Sequence, residues 1–233
     1  MKVLIVAATY FEIKPLLLSF GQTDDEEFSM KTFQYHQLSL DVLITGVGLM
    51  QTAYFMGKAF VNTTYDLALN FGIAGSFNKN ISIGEVVNVT EEQIADLGAE
   101  DKEGFLDVIE LKLLNPNRFP YNSGKLINKT PDWAQEIPNL RATVKGISVN
   151  TVHGNQYSID KIIQKYQPDL ESMEGAAFLY ACLIEHIPCL QIRAISNYIE
   201  NRNKGTWNIP LAIENLNETA MKIIHHISGN VHL

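Results

Sequence analysis

At 233 residues, 46% hydrophobic and 19% charged, the chain has the composition of an ordinary globular protein and enough length to bury a substantial core. Its 26 acids against 18 lysines and arginines give a formal net charge of -8, which argues against a broad basic face and so against nucleic acid as a partner. Only Cys182 and Cys189 are present, each inside an apolar run, so neither a disulfide framework nor a cysteine-rich metal site is expected and a reducing cytoplasm fits.

The run Val3-Leu4-Ile5-Val6-Ala7-Ala8 is too short for a signal peptide or a membrane span and reads as a strand covered on both faces. Thr9-Tyr10-Phe11-Glu12 then fits a capping box that opens a helix. Glu12 therefore has two readings: a cap, or an acid at the carboxyl end of a parallel strand, where open α/β sheets bind ligands. Residues 33–38 and 40–45 read as two antiparallel strands, which makes the sheet mixed. Gly46-Val47-Gly48 breaks the chain before a helical pattern over 49–60; its loop is either a tight turn or a surface facing an anion or a sugar.

Residues 66–71 form another buried strand that ends in Gly72-Ile73-Ala74-Gly75-Ser76. The two glycines let backbone amides approach a ligand, and the Ser76 hydroxyl serves either that ligand or the turn itself. A further strand is predicted over 86–89. The region 91–139, with irregular stretches such as Asn115-Pro116-Asn117-Arg118-Phe119-Pro120, is expected to form loops around the sheet without a second domain. Strand character resumes over 143–151 and helical character over 159–166. Between them, His153 has no second His or Cys at ligand spacing, so no metal site is expected there. Tyr157 offers a flat surface beside a glycine turn.

In Leu170-Glu171-Ser172-Met173-Glu174-Gly175-Ala176-Ala177-Phe178 two acids precede a small and then apolar helical run. Glu174 either complements the helix N-terminus or anchors a ligand that its small neighbours allow to approach. The strand over 188–197 carries Arg193 among apolar residues, a costly placement unless a carboxylate such as Glu171 or Glu174, or a bound anion, meets it. A polar loop over 201–208, an amphipathic helix over 209–227 and a fraying tail from 228 complete the chain.

Taken together, the Ala7-Ala8 strand with Glu12, the Gly72-to-Ser76 turn, Glu171-Ser172-Met173-Glu174-Gly175-Ala176-Ala177 and Arg193-Ala194-Ile195-Ser196 resemble the nucleoside phosphorylase and nucleosidase superfamily. They are most similar to its methylthioadenosine/S-adenosylhomocysteine nucleosidase branch. The resemblance implies an α/β protein with a three-layer α/β/α fold around a central mixed twisted sheet, organised as a single domain over 1–233. It further implies a cytoplasmic homo-oligomer, at least a dimer, that cleaves the N-glycosidic bond of a purine nucleoside without cofactor or metal and without contact to membrane or nucleic acid. Glu12, Glu174 and Asn197 are its implied catalytic residues: Glu12 activates water, and Glu174 with Met173 binds the ribose hydroxyls. Ser76 and Arg193 help to position water or sugar, Tyr157 stacks on the purine, and Ala74 and Gly75 belong to the same substrate-binding set. Cleavage passes through an oxocarbenium-like sugar that a nearby carboxylate stabilises while a base-positioned water attacks the anomeric carbon. A phosphorylase of this superfamily would need a glycine-rich N-terminal turn with an arginine close behind. Residues 7–12 contain neither, so water is the expected nucleophile.

Two departures from the family pattern bear on substrate. Adenine-specific members carry an Asp after the Arg-Ala-Ile-Ser run, where this chain has Asn197. An Asn amide can donate to a carbonyl while its oxygen accepts from a protonated N7, a pattern that fits a 6-oxopurine such as hypoxanthine and disfavours a 6-aminopurine. Gly154-Asn155-Gln156-Tyr157 stands where relatives have Gly-Asp-x-Phe. The segments Gln191-Ile192-Arg193-Ala194-Ile195-Ser196-Asn197-Tyr198, Asn201-Arg202-Asn203-Lys204 and Trp207-Asn208-Ile209-Pro210 resemble the futalosine hydrolases of the alternative menaquinone pathway. The substrate of that family is an inosine whose sugar bears a benzoate-containing side chain, for which Arg202, Lys204, Trp207 and Tyr10 are candidate contacts. A methylthioadenosine/S-adenosylhomocysteine or aminodeoxyfutalosine nucleosidase, a phosphorylase, and a noncatalytic nucleoside-binding protein remain the alternatives.

Overall fold

The computed structural model describes residues 1–22, 28–102, 104–138 and 140–229. In chain order it comprises β1 (Lys2–Ala7), α1 (Tyr10–Ser19), β2 (Met30–Tyr35), β3 (Leu38–Ile44), α2 (Leu49–Asn62), β4 (Leu67–Ser76), β5 (Val86–Ile94), β6 (Gly98–Asp101) and β7 (Gly104–Asp107). There follow β8 (Tyr121–Asn122), β9 (Lys125–Ile127), β10 (Arg141–Ser148), α3 (Gln156–Tyr166), β11 (Leu170–Ser172), α4 (Gly175–Ile184), β12 (Cys189–Tyr198) and α5 (Ile209–Gly229). The expected fraying from 228 falls partly outside the described residues, since α5 runs to Gly229.

The central sheet has ten strands in the order β2-β3-β1-β4-β11-β10-β5-β9-β8, and β12 pairs with both β4 and β5. Its parallel and antiparallel pairings make it mixed, and β2 and β3 are antiparallel as their sequence suggests. Because β12 joins β4 to β5, the strands β4, β11, β10, β5 and β12 close into a ring. Each of them contributes to one apolar cluster, with Ala74, Leu170, Val144, Val87 with Val89, and Ile195 packed together.

Alternation along β1 supplies both layers. Val3, Ile5 and Ala7 pack under Ile13 and Leu16 of α1 and Leu216 and Ala220 of α5. Leu4 and Val6 face Met56 of α2 and Phe178, Leu179 and Cys182 of α4. Such two-sided burial is why β1 reads as an unbroken apolar run.

The region 91–139 departs from expectation. β5 continues to Ile94, and β6 with β7 and β8 with β9 form hairpins. Polar Glu91-Glu92-Gln93 concealed the continuation, yet Glu92 is fully buried because its carboxylate finds donors inside the fold.

Candidate active site

Four strand ends and three helix starts meet at one cavity of about 360 Å³, lined among others by Glu12, Ala74, Gly75, Met173, Glu174 and Asn197. It lies beyond the carboxyl ends of the parallel strands β1, β4 and β12, the usual ligand crevice of such sheets.

Glu12 is held by its own turn and by a neighbouring strand. The capping box is present: the Glu12 N–H donates to Thr9 Oγ1, while Glu12 Oε2 accepts from the Thr9 N–H at 3.0 Å and its hydroxyl at 2.9 Å. Oε1 does something a cap does not require, accepting from the Ile73 N–H at 3.1 Å. The β1 pairing with β4 ends at Asn70, which leaves the Ile73 amide free to meet this carboxylate. Gly72 permits the approach, since a Cβ there would stand 3.1 Å from Glu12 Oε1.

Glu174 occupies the N-cap of α4, but its side chain makes no bond to that helix. Its carboxylate instead accepts from the Gly48 N–H at 3.0 Å, so the glycine turn ahead of α2 faces an anion supplied by the protein. Burial, followed by the negative charge of Glu12, pushes the Glu174 carboxyl above its ordinary pKa, while Arg193 and the Gly48 and Met173 amides pull it down.

Arg193 lies beneath the floor, 1% exposed. Its guanidinium donates to Asn70 Oδ1 and to the Ile192 carbonyl. Burial lowers its pKa, and the charges of Glu174, Glu12 and Glu92 oppose that shift. One cation thus serves three acids. Glu171, the other partner considered for it, accepts instead from the His153 N–H at 2.9 Å, and its second oxygen lies 2.6 Å from His153 Nδ1.

A register shift between Ile195 and Asn197 leaves Ser196 as an extra residue and sets Asn197 opposite Gly75; a bulge of this kind re-aims a side chain. Asn197 Oδ1 accepts from Ser196 Oγ at 2.8 Å and Nδ2 donates to the Tyr198 carbonyl at 3.0 Å.

Besides Arg193, two expected residues stand apart from this cavity. The Ser76 hydroxyl is buried and donates to the Asn78 and Asp169 carbonyls, so it secures the turn after β4. Tyr157 is 65% exposed on α3 with Lys161 over its ring. It lines a neighbouring cavity of about 1170 Å³ that also takes in Val152, His153 and Arg202. Asn155 caps α3 by accepting from the Ser158 N–H, and starting that helix at Gln156 turns Tyr157 outward. Of the candidate side-chain contacts, Arg202 and Trp207 line the smaller cavity, with the guanidinium 5.4 Å from the indole centre. Tyr10 packs in the α1 core.

Sequence reasoning gave Ile73 and Gly48 no part in holding the acids, because what they contribute is backbone N–H groups. It also missed Val152 and His153 on the cavity wall. Among the described residues, no group of three or more His, Cys, Asp or Glu could hold a metal ion, and no helix is long and apolar enough to cross a membrane.

Comparison with known proteins identifies the family and the fold. The family model described as the phosphorylase superfamily matches residues 2–228. Futalosine hydrolase of Thermus thermophilus is 30% identical over 190 residues, covering 80% of this chain and 82% of that protein. A 5'-methylthioadenosine/S-adenosylhomocysteine nucleosidase of Maridesulfovibrio salexigens is 24% identical over 206 residues, 85% and 87% of the two chains. The solved structure of futalosine hydrolase from Helicobacter pylori superposes with a TM-score of 0.77 over 97% of both chains at 17% identity, a likeness of fold. By the extent of the family match and by these relatives, the chain belongs to the phosphorylase superfamily.

Proposed function

We propose that this nucleosidase-type enzyme hydrolyses the N-glycosidic bond of futalosine, releasing hypoxanthine and dehypoxanthine futalosine in menaquinone biosynthesis. The observation that carries the reading is Asn197 on the wall of the cavity that holds Glu12 and Glu174. Water loses a proton to Glu12 as its oxygen bonds to the anomeric carbon. The C1'–N9 electron pair leaves with the purine, whose N7 takes a proton from solvent water, and Glu12 returns the proton it accepted to solvent. Asn197 Oδ1 accepts from that N7–H while Nδ2 donates to O6. Glu174, with Met173 beside it, binds the ribose hydroxyls and stabilises the positive charge that develops on the sugar. Buried Arg193 keeps two close carboxylates compatible in one site. Ala74 and Gly75 present backbone along the purine, and the Arg202–Trp207 pair at the rim meets the benzoate.

Incubation with futalosine and, separately, with methylthioadenosine tests the reading. Hypoxanthine release at the higher kcat/KM is expected, and faster adenine release would overturn it. The relative named a methylthioadenosine/S-adenosylhomocysteine nucleosidase keeps adenine nucleosides as the second candidate substrate. Residues 1–233 act in this proposal as one cytoplasmic domain in at least a dimer. The exposed Met50, Tyr54 and Val61 of α2, next to the turn that holds Glu174, supply its apolar contact, and light scattering reads the mass.

A further inference from the structure

An asparagine in the buried face of a long helix is unfavourable on propensity and on burial unless its amide is fully used. Asn217, in the middle of α5, is 4% exposed and packed among Leu216 and Ala220. Every hydrogen-bonding position that its amide offers to α1 is taken. Its Oδ1 accepts from the Leu16 N–H at 3.0 Å, and its Nδ2 donates to the Glu12 carbonyl at 2.8 Å as well as to the Ile213 carbonyl of its own helix at 2.7 Å.

Leu16 and Glu12 are four residues apart, the pair that would bond directly in a regular α-helix. The helix is kinked between them. Pro15 supplies no N–H to the turn and crowds the carbonyl four residues back, and Ile13 leaves helical geometry with φ -118° and ψ 16°. The Asn217 amide reaches both backbone groups across this kink, giving each a side-chain partner. The residue whose carbonyl it grips is the one whose carboxylate Thr9 and Ile73 hold in the cavity.

We propose that Asn217 is a positioning residue for Glu12, fixing from a distant helix the backbone on which the water-activating carboxylate stands. This rests on the reading of Glu12 as the general base. Without the amide, the buried Glu12 carbonyl and Leu16 N–H either close on each other or admit water, and each outcome moves the Glu12 backbone. A displacement of order 1 Å at a catalytic group costs up to ~100-fold in rate. The purine and ribose contacts through Asn197 and Met173 sit on other elements and stay in place.

The test compares Asn217→Leu, which removes both bonds, and Asn217→Ser, which leaves a shorter hydroxyl through which water can bridge to α1, with the unaltered protein and with Glu12→Gln. Thermal melting and product-hypoxanthine affinity report folding and pocket integrity. The expected result is a kcat per folded molecule lowered roughly 10- to 100-fold in Asn217→Leu, an intermediate loss in Asn217→Ser, and KM and hypoxanthine affinity within about twofold of the original. If both variants melt earlier yet keep kcat per folded molecule while Glu12→Gln is inactive, Asn217 is merely structural and the proposal fails. If Asn217→Leu does not fold, Asn217→Ser decides by the same criterion. Full turnover by Glu12→Gln would instead remove Glu12 as the base, a separate failure that overturns the premise.

Discussion

Replacing Glu92 with Gln should flatten the pH dependence of stability around neutrality. Glu92 is wholly buried in β5. Oε1 accepts from Gln191 Nε2 at 2.7 Å and Oε2 from Ser148 Oγ at 3.0 Å, and Ser148 Oγ accepts in turn from the Ala176 N–H at the start of α4. Burial outweighs these neutral donors and the more distant Arg193, pushing the Glu92 carboxyl up from 4.5 to about 7. A pKa raised on folding gives stability that is complete below the unfolded value and is lost as pH rises through the folded one. A rise from 4.5 to about 7 corresponds in full to about 3 kcal/mol. Between pH 5 and pH 8 the unaltered protein should therefore lose about 2 to 3 kcal/mol more than Glu92→Gln, which binds no proton there. Urea unfolding followed by circular dichroism at four pH values across this window measures both curves, and the difference in their slopes cancels any fixed cost of the amide. Parallel curves would show that Glu92 does not change its proton binding on folding over this range.

Other perturbations follow from the same contacts. Asn197→Asp should raise the ratio of adenine to hypoxanthine release by 10-fold or more, on the order of one well-made polar discrimination; an unchanged ratio would take Asn197 out of substrate selection. A methyl at Gly175 would collide with the Glu92 carboxylate and the Gln191 amide, so Gly175→Ala should cost roughly 1–3 kcal/mol in urea unfolding, and adding Glu92→Ala should return part of it. Arg202→Ala should raise KM for futalosine roughly 10-fold by removing a charged partner of its carboxylate, with KM for inosine, which lacks the benzoate, unchanged; an equal rise for both would place Arg202 outside side-chain recognition.

What could be read along the chain was what local sequence determines. β1 announces itself because both of its faces are covered, and the Thr9–Glu12 capping box is a four-residue motif that the structure reproduces bond for bond. Glu12, Met173, Glu174 and Asn197 share one cavity because each stands at a strand end or helix start, and the parallel topology brings those ends together. The capping and ligand-facing readings of Glu12 proved compatible. A carboxylate has two oxygens, and the cap uses only Oε2. For Glu174 the capping reading fails on direction: its residue is the N-cap, but its side chain points to Gly48.

The rest was hidden by separation along the chain. Glu92 reads as part of the loops that follow a short strand because its partner Gln191 lies 99 residues away, and a buried acid cannot be told from an exposed one until that partner is placed. Asn217 looked like a polar position on an amphipathic helix because the backbone it completes is 205 residues distant. Ser76 and Tyr157 show the opposite case. Each sits beside a turn that does line the site, and in each the local backbone sends the side chain elsewhere: Ser76 to the Asp169 carbonyl, and Tyr157 to the outer surface of a helix that Asn155 starts one residue earlier. A motif therefore locates the backbone of a site, whereas the direction of each side chain depends on partners that only the folded chain brings near. Glu12 shows both at once, since its capping box is local while the strand and helix that hold it are 61 and 205 residues away.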